Sequence, residues 1–311
     1  MRVAVVDIGT NSTRLLVADV DGGRVTELDR RSIVTRLGQG VDANGHLADE
    51  PMQRVFAALD QYRRAIDEHG ATRVVGVLTS AVRDAANGPE FMERVRRDYG
   101  VDARTIPGDE EARLTFLGAT SERDGDGDAG PVVVIDIGGG STEFVVGSGR
   151  DVWFHVSTQA GVVRQSERHI ASDPPRGEEL DELAEEVRGI IEAEVPAEVR
   201  RSVTGAIAVA GTATSLAAID QELHPYDPER VHGYRLSLAR CQAIFDRLAA
   251  MTDDERRHVT GLHPDRAPTI VAGAVLLIQA LRAFDLDAAE VSEHDILRGA
   301  ALEAASAASE G

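Results

Sequence analysis

The sequence of 311 residues has no lysine, so all 33 of its basic residues are arginine. That absence excludes a Walker-type phosphate loop, which depends on its lysine, and any Schiff-base chemistry. Guanidinium forks are left as the only side-chain cations for phosphate. Aromatic residues make up 4% of the chain, so its cores must be built from Val, Leu, Ile and Ala. A single cysteine, Cys241, excludes an internal disulfide framework. The most apolar run, 268–280, falls short of the roughly 20 residues needed to cross a bilayer, and no membrane partner is expected. No basic patch with interleaved aromatics is present, which argues against nucleic acid. The first residues read as a strand rather than a charged-then-apolar leader, and the expected compartment is the cytoplasm.

Acid is what the chain has in excess, with a net charge of −20. Hydrophobic content of 42% with 28% charged residues is that of a globular protein, and the length suits two domains. An acidic surface repels polyanions. Any site for one must therefore work locally, through backbone amides, a bound cation and a few arginines.

The stretch from Val132 to Val146 supplies such a site. An apolar run reaches Asp136, then come Ile137, Gly138, Gly139, Gly140, Ser141, Thr142 and Glu143, and a second apolar run leaves. This reads as a β-hairpin with a phosphate-sized turn. Glycines let the backbone approach a ligand and present N–H groups to an anion, while carboxylates beside that anion require a cation. Phosphate with Mg²⁺ is the simplest ligand that needs both. A copy lies at the N-terminus, where Val3 to Val17 aligns at a constant offset of 129, sharing Asp-Ile-Gly and Ser-Thr. Such self-similarity implies two related half-domains facing one another across a cleft, each offering one turn to the same polyphosphate. Gly9, Thr10, Asn11 and Ser12 of the first turn, and Gly138, Gly139, Gly140 and Ser141 of the second, are expected to cradle phosphate oxygens. Asp136, Glu143 and Asp7 are the expected Mg²⁺ partners, although Asp at a strand end also caps turns. Arg14 takes the place of Glu143 in the first copy.

The motifs Asp7 to Thr13, Thr79 to Arg83, Gly108 to Leu114, Asp136 to Glu143 and Gly211 to Ser215 resemble, in order, those of the exopolyphosphatase / guanosine pentaphosphate phosphohydrolase (Ppx/GppA) family. That family lies within the actin-like, sugar-kinase and heat-shock-chaperone ATPase superfamily. The resemblance implies an α/β fold of two actin-like (ribonuclease H-like) domains, with mixed sheets flanked by helices and an interdomain active-site cleft. The expected domains are 1–121, completed by a C-terminal helix over 295–311, and 122–294. Long members of the family append a C-terminal helical domain, and this chain stops before it.

The resemblance also implies an activity and its residues. The family's catalytic acid corresponds to the second Glu of Glu-Glu-Ala-Arg-Leu, hence Glu111, with Glu110 turned outward. A carboxylate there can hold and deprotonate the attacking water. Read alone, Glu111 is equally a first-turn helix acid favoured by the dipole. Arg83 is the candidate for stabilising transferred charge, against a surface ion pair. Gly211 and Thr212 follow a strand and open a helix, which favours contact with an anion. The activity expected is release of terminal orthophosphate from inorganic polyphosphate, with guanosine pentaphosphate hydrolysis as the alternative on the same site. An ATP-dependent kinase or actin-like switch, or a phosphate sensor without turnover, stands further off. The sequence leaves a homodimer open. His294 and Asp295 resemble a metal-binding pair but read as structural.

Periodicity supplies the rest. A helix runs from Asp49 to about His69 with Val55, Leu59, Tyr62 and Ile66 on one face. A strand follows over 73–78, then a helix over 89–99 and a strand over 101–106. An Asp- and Gly-rich linker covers 122–130. Beyond the second hairpin are an acidic helix over 178–193 with a solvated charged face, a loop over 224–233, an apolar helix over 268–284, a strand near 290–292 and a closing helix.

Overall fold

The computed structural model describes residues 1–122, 130–149 and 151–309; the linker expected over 122–130 lies, apart from its two ends, outside the described residues. Strands β1 (Arg2–Ile8), β2 (Ser12–Asp21) and β3 (Arg24–Val34) form an antiparallel meander. A short α1 (Val41–Asn44) precedes α2 (Asp49–His69), on which Val55, Leu59, Tyr62 and Ile66 are all buried. The chain then returns as β4 (Arg73–Leu78), parallel to β1. Helices α3 (Ser80–Asp84) and α4 (Gly88–Tyr99) lead to β5 (Asp102–Thr105), parallel to β4, and α5 (Gly108–Ala119) follows. The sheet order is β3-β2-β1-β4-β5.

The second half repeats this plan. Strands β6 (Val132–Ile137), β7 (Thr142–Ser148) and β8 (Asp151–Thr158) make the meander. Helices α6 (Val162–His169), α7 (Gly177–Glu194) and α8 (Ala197–Ser202) precede β9 (Gly205–Val209), which lies parallel to β6. Next come α9 (Ala210–Asp220), α10 (Pro228–Val231), β10 (Tyr234–Ser237), α11 (Leu238–Ala249) and α12 (Asp253–Arg256). Helix α13 (Ile270–Ala283), β11 (Ala288–Val291) and α14 (Ile296–Ser309) complete the chain. The order is β10-β11-β9-β6-β7-β8, the plan of the first sheet with β10 added at one edge.

Two compact units result, Met1–Glu122 with His294–Gly311, and Arg123–Glu293. In the first, strand alternation splits β1 between two cores. Ala4, Val6 and Ile8 pack under α2 and α4, whereas Val3 and Val5 meet α5 and α14 through Leu114, Leu297 and Ala301. Helices α5 and α14 touch at backbone distance. A Cβ on Gly118 would lie 1.9 Å from the Asp295 carbonyl oxygen, and one on Gly299 would lie 1.8 Å from that of Leu114. The second unit is centred on α13, buried from Ile270 to Leu281 as its uninterrupted apolar sequence requires. Among the described residues no helix is long and apolar enough to cross a membrane.

The sequence reading needs correction at three points. The loop expected over 224–233 contains α10, whose amides at Glu229 and Arg230 are capped by the Asp227 carboxylate. Strand β10 was not expected because only Leu236 of its four residues is buried. The charged face of α7 is not wholly solvated either. Glu179 is buried and accepts from the Arg176 amide (2.9 Å), the Ala171 amide (3.3 Å) and the Ser172 hydroxyl. These bonds, that of Ser172 foremost, hold its carboxyl at about 2, below the ordinary 4.5. A depressed carboxyl stabilises the fold above the ordinary value and loses that contribution as pH falls towards about 2. Glu179→Gln is therefore expected to lower Tm at about pH 5 and to narrow its gap from the parent at about pH 3. An equal gap at both would show that the carboxylate is not the stabilising form.

Candidate active site

In both units the residues of interest gather at the carboxyl ends of the parallel strands, where open α/β sheets place ligands. In the first unit these are the turn after β1, α3 after β4 and the start of α5 after β5.

The two hairpin turns are built alike. The Gly9 amide donates to the Ser12 carbonyl at 3.0 Å, and the Gly138 amide to that of Ser141 at 3.0 Å. The other turn carbonyls are pinned from one side. Thr10 accepts from Gly38 (2.9 Å), and Asn11 from Thr35 (2.9 Å) and Arg36 (2.8 Å). Gly138 accepts from Val162 (2.9 Å) and Gly139 from Val163 (2.8 Å), while Gly140 accepts from Arg164 Nε (2.9 Å). A trans peptide points its N–H opposite to its C=O. The amides of Asn11 and Ser12, and those of Gly139, Gly140 and Ser141, are thereby turned away from the pinning segments. That is a donor surface suited to an anion. The Thr10 side chain is buried beside the same turn, with its hydroxyl 2.8 Å from that of Ser80.

Each turn is followed by an equivalent cross-strand pair, Asp7 opposite Arg14 and Asp136 opposite Glu143. The second pair sets two buried carboxylates side by side, and Glu143 accepts from the Ser157 hydroxyl at 2.7 Å. In the first pair Arg14 donates through Nε to Asp7 Oδ2 at 2.8 Å and brings Nη2 to 2.6 Å from the same oxygen. Among the described residues no donor reaches the buried Asp7 Oδ1. Burial pushes the Asp7 carboxyl up, Arg14 opposes this, and the charge of Asp295 adds to the rise. Each unit thus offers buried carboxylate oxygens, Asp7 in the first and the Asp136–Glu143 pair in the second, and oxygen is the donor type that suits Mg²⁺.

Arg83 and Glu111 are brought together. Arg83 Nη1 donates to the Ile106 carbonyl at 3.1 Å and lies 3.4 Å from Glu111 Oε2. Glu111 is buried in the first turn of α5. Its neighbour Glu110 points elsewhere and pairs with Arg104 at 2.5 Å.

In the second unit Gly211 and Thr212 lie in the first turn of α9 after β9. Thr212 is buried against Gly273 of α13. Ala210 holds a left-handed φ of 65°, a strained setting for a residue with a Cβ. The Arg266 guanidinium lies across Gly211, where a Cβ would sit 1.6 Å from Nη1. Arg266 had no signal in the sequence, being 55 positions from the glycine it covers. Asp295 is the other unexpected neighbour. It caps α14 through the Leu297 amide (3.1 Å) and accepts from Arg14 Nη1.

A profile of the Ppx/GppA phosphatase family matches residues 16–305. The chain belongs to the Ppx/GppA family. Exopolyphosphatase 2 of Mycobacterium tuberculosis is 40% identical over 97% of this chain and 98% of its own length. The crystal structure of the Aquifex aeolicus family member superposes with a TM-score of 0.82 at 32% identity, covering 99% of this chain and 98% of that one. An exopolyphosphatase from Cytophaga hutchinsonii gives 0.88 at 27% identity over 98% of both chains. This Ppx/GppA protein is accordingly an actin-like α/β chain with two mixed sheets flanked by helices, and a hydrolase of phosphoanhydride bonds.

Proposed function

We propose that this Ppx/GppA chain is an exopolyphosphatase that releases terminal orthophosphate from linear inorganic polyphosphate by in-line attack of water. The observation that carries the reading is the Arg83–Glu111 pair, 3.4 Å apart and following the same carboxyl ends of the sheet's parallel strands as the first turn. Glu111 holds the water and takes its proton, Arg83 takes up charge developing on the transferred phosphoryl group, and the P–O–P bridge breaks towards the shortened chain. The amides of each turn, and those of Gly211 and Thr212 at the start of α9, are donors for phosphate oxygens, and oxygens so held fix the angle of attack. Asp7 in the first unit, and Asp136 with Glu143 in the second, would serve as Mg²⁺ partners, and Mg²⁺ when bound neutralises phosphate charge. Polyphosphate is preferred to guanosine pentaphosphate because the 40%-identical relative is an exopolyphosphatase.

The test is orthophosphate release from short polyphosphate, long polyphosphate, guanosine pentaphosphate and ATP, each with Mg²⁺ and with excess chelator. Stepwise release from polyphosphate that chelator abolishes is the expected result. Faster turnover of guanosine pentaphosphate would reassign the substrate. Turnover of ATP alone would make the protein an ATPase or kinase, and turnover of nothing would make it a sensor.

A further inference from the structure

The residues His294 and Asp295 stood out in the sequence, and nothing in the proposed reaction uses them. Asp295 is 3% exposed and unusually placed. Its Oδ1 is fixed by the Leu297 amide at the start of α14, and Arg30 Nη1 stands 3.8 Å from the same oxygen. Its Oδ2 takes Arg14 Nη1. The opposite side of that guanidinium serves Asp7.

The manner of that contact is informative. An arginine meeting a buried carboxylate usually forms two parallel N–H···O bonds, one to each oxygen. Arg14 instead sets both Nε and Nη2 on Asp7 Oδ2, at 2.8 and 2.6 Å, and leaves Oδ1 without a donor. The third nitrogen is held by Asp295, itself anchored by a helix cap. A guanidinium tethered there cannot slide across to cover both Asp7 oxygens.

We propose that Asp295 is a positioning residue for the first turn. By drawing Arg14 to one side it keeps Asp7 Oδ1 bare and its charge only partly neutralised, so that Asp7 can serve a divalent cation. The second unit needs no such device, because Glu143 replaces Arg14 in the equivalent pair. The inference rests on the proposed role of Asp7 as a Mg²⁺ partner.

The experiment is Mg²⁺ binding to the substrate-free protein by titration calorimetry, beside the Mg²⁺ dependence of phosphate release, for the parent and Asp295→Asn. The expected result is a roughly 10-fold weaker Mg²⁺ dissociation constant, the scale on which groups behind a metal ligand act. The Mg²⁺ concentration at half-maximal rate should rise in parallel, with kcat at saturating Mg²⁺ within about twofold of the parent. In an Arg14→Gln background the same substitution should leave Mg²⁺ affinity unchanged, since the effect runs through Arg14. Asp295→Ser keeps an oxygen for the Leu297 amide and gives the same readout should the Asn variant fail to fold. Lower Tm with unaltered Mg²⁺ affinity would overturn the proposal and leave Asp295 as a helix cap. A parent protein that binds no Mg²⁺ at all would instead overturn the metal role of Asp7.

Discussion

Glu111→Gln should lower kcat on polyphosphate by about 10²–10⁴, the usual contribution of a positioned general base. That loss corresponds to about 3–5 kcal/mol of barrier. KM should change little, because the substituted amide still fills its place beside Arg83 and the turns that hold phosphate are untouched. The rival reading is that Glu111 is only a helix acid favoured by the α5 dipole, an effect of about 0.3–1 kcal/mol on stability. The two readings separate cleanly. A dipole acid would show in Tm and leave kcat alone, whereas a base shows in kcat with Tm nearly constant. Glu111→Asp refines the test, since withdrawing the carboxylate by about 1 Å can itself remove about 10²-fold. A Gln variant retaining more than a tenth of the parental kcat would move the base elsewhere.

Gly299→Ala should be the most damaging single methyl in the first unit. The added carbon would lie 1.8 Å from the Leu114 carbonyl oxygen, and that oxygen belongs to the backbone of α5. No side chain can rotate aside, so α5 and α14 must separate. Overpacking of this kind costs about 1–3 kcal/mol and occasionally more, and the upper end is expected where backbone meets backbone. In a chain of this size Tm should fall by roughly 5–10 °C. Activity should fall further than unfolding explains, because α5 carries Glu111 and α14 follows Asp295. A melting temperature within about 2 °C of the parent would show that the helices adjust freely.

The parts legible in the sequence are those written locally. The first strand, the helical spacing of Val55, Leu59, Tyr62 and Ile66, and the offset between the two Asp-Ile-Gly turns all survive in the structure, the last as one sheet plan used twice. The role proposed for Glu111 rests on a motif resemblance, since spacing alone does not tell a base from a helix acid. What lay beyond reach joins distant positions. Arg14 meets Asp295 across 281 positions, and Arg266 covers Gly211. No periodicity announces a partner so far along the chain. The left-handed Ala210 was equally hidden, because the residue expected in such a conformation is glycine. Strand β10 escaped because one buried residue in four makes no pattern.

The helix that closes the first unit is the last element of the chain, so the ribosome releases it after the whole of the second unit. At about 5–20 residues per second, the 176 residues between the end of α5 and that helix take roughly 9–35 s. Throughout that interval Val3, Val5, Leu16 and Ala18 present an oily sheet face with no helix from the C-terminus to cover it. The nascent protein should therefore engage chaperones early, and a ribosome-bound fragment ending before residue 294 should be captured by them until the last segment emerges.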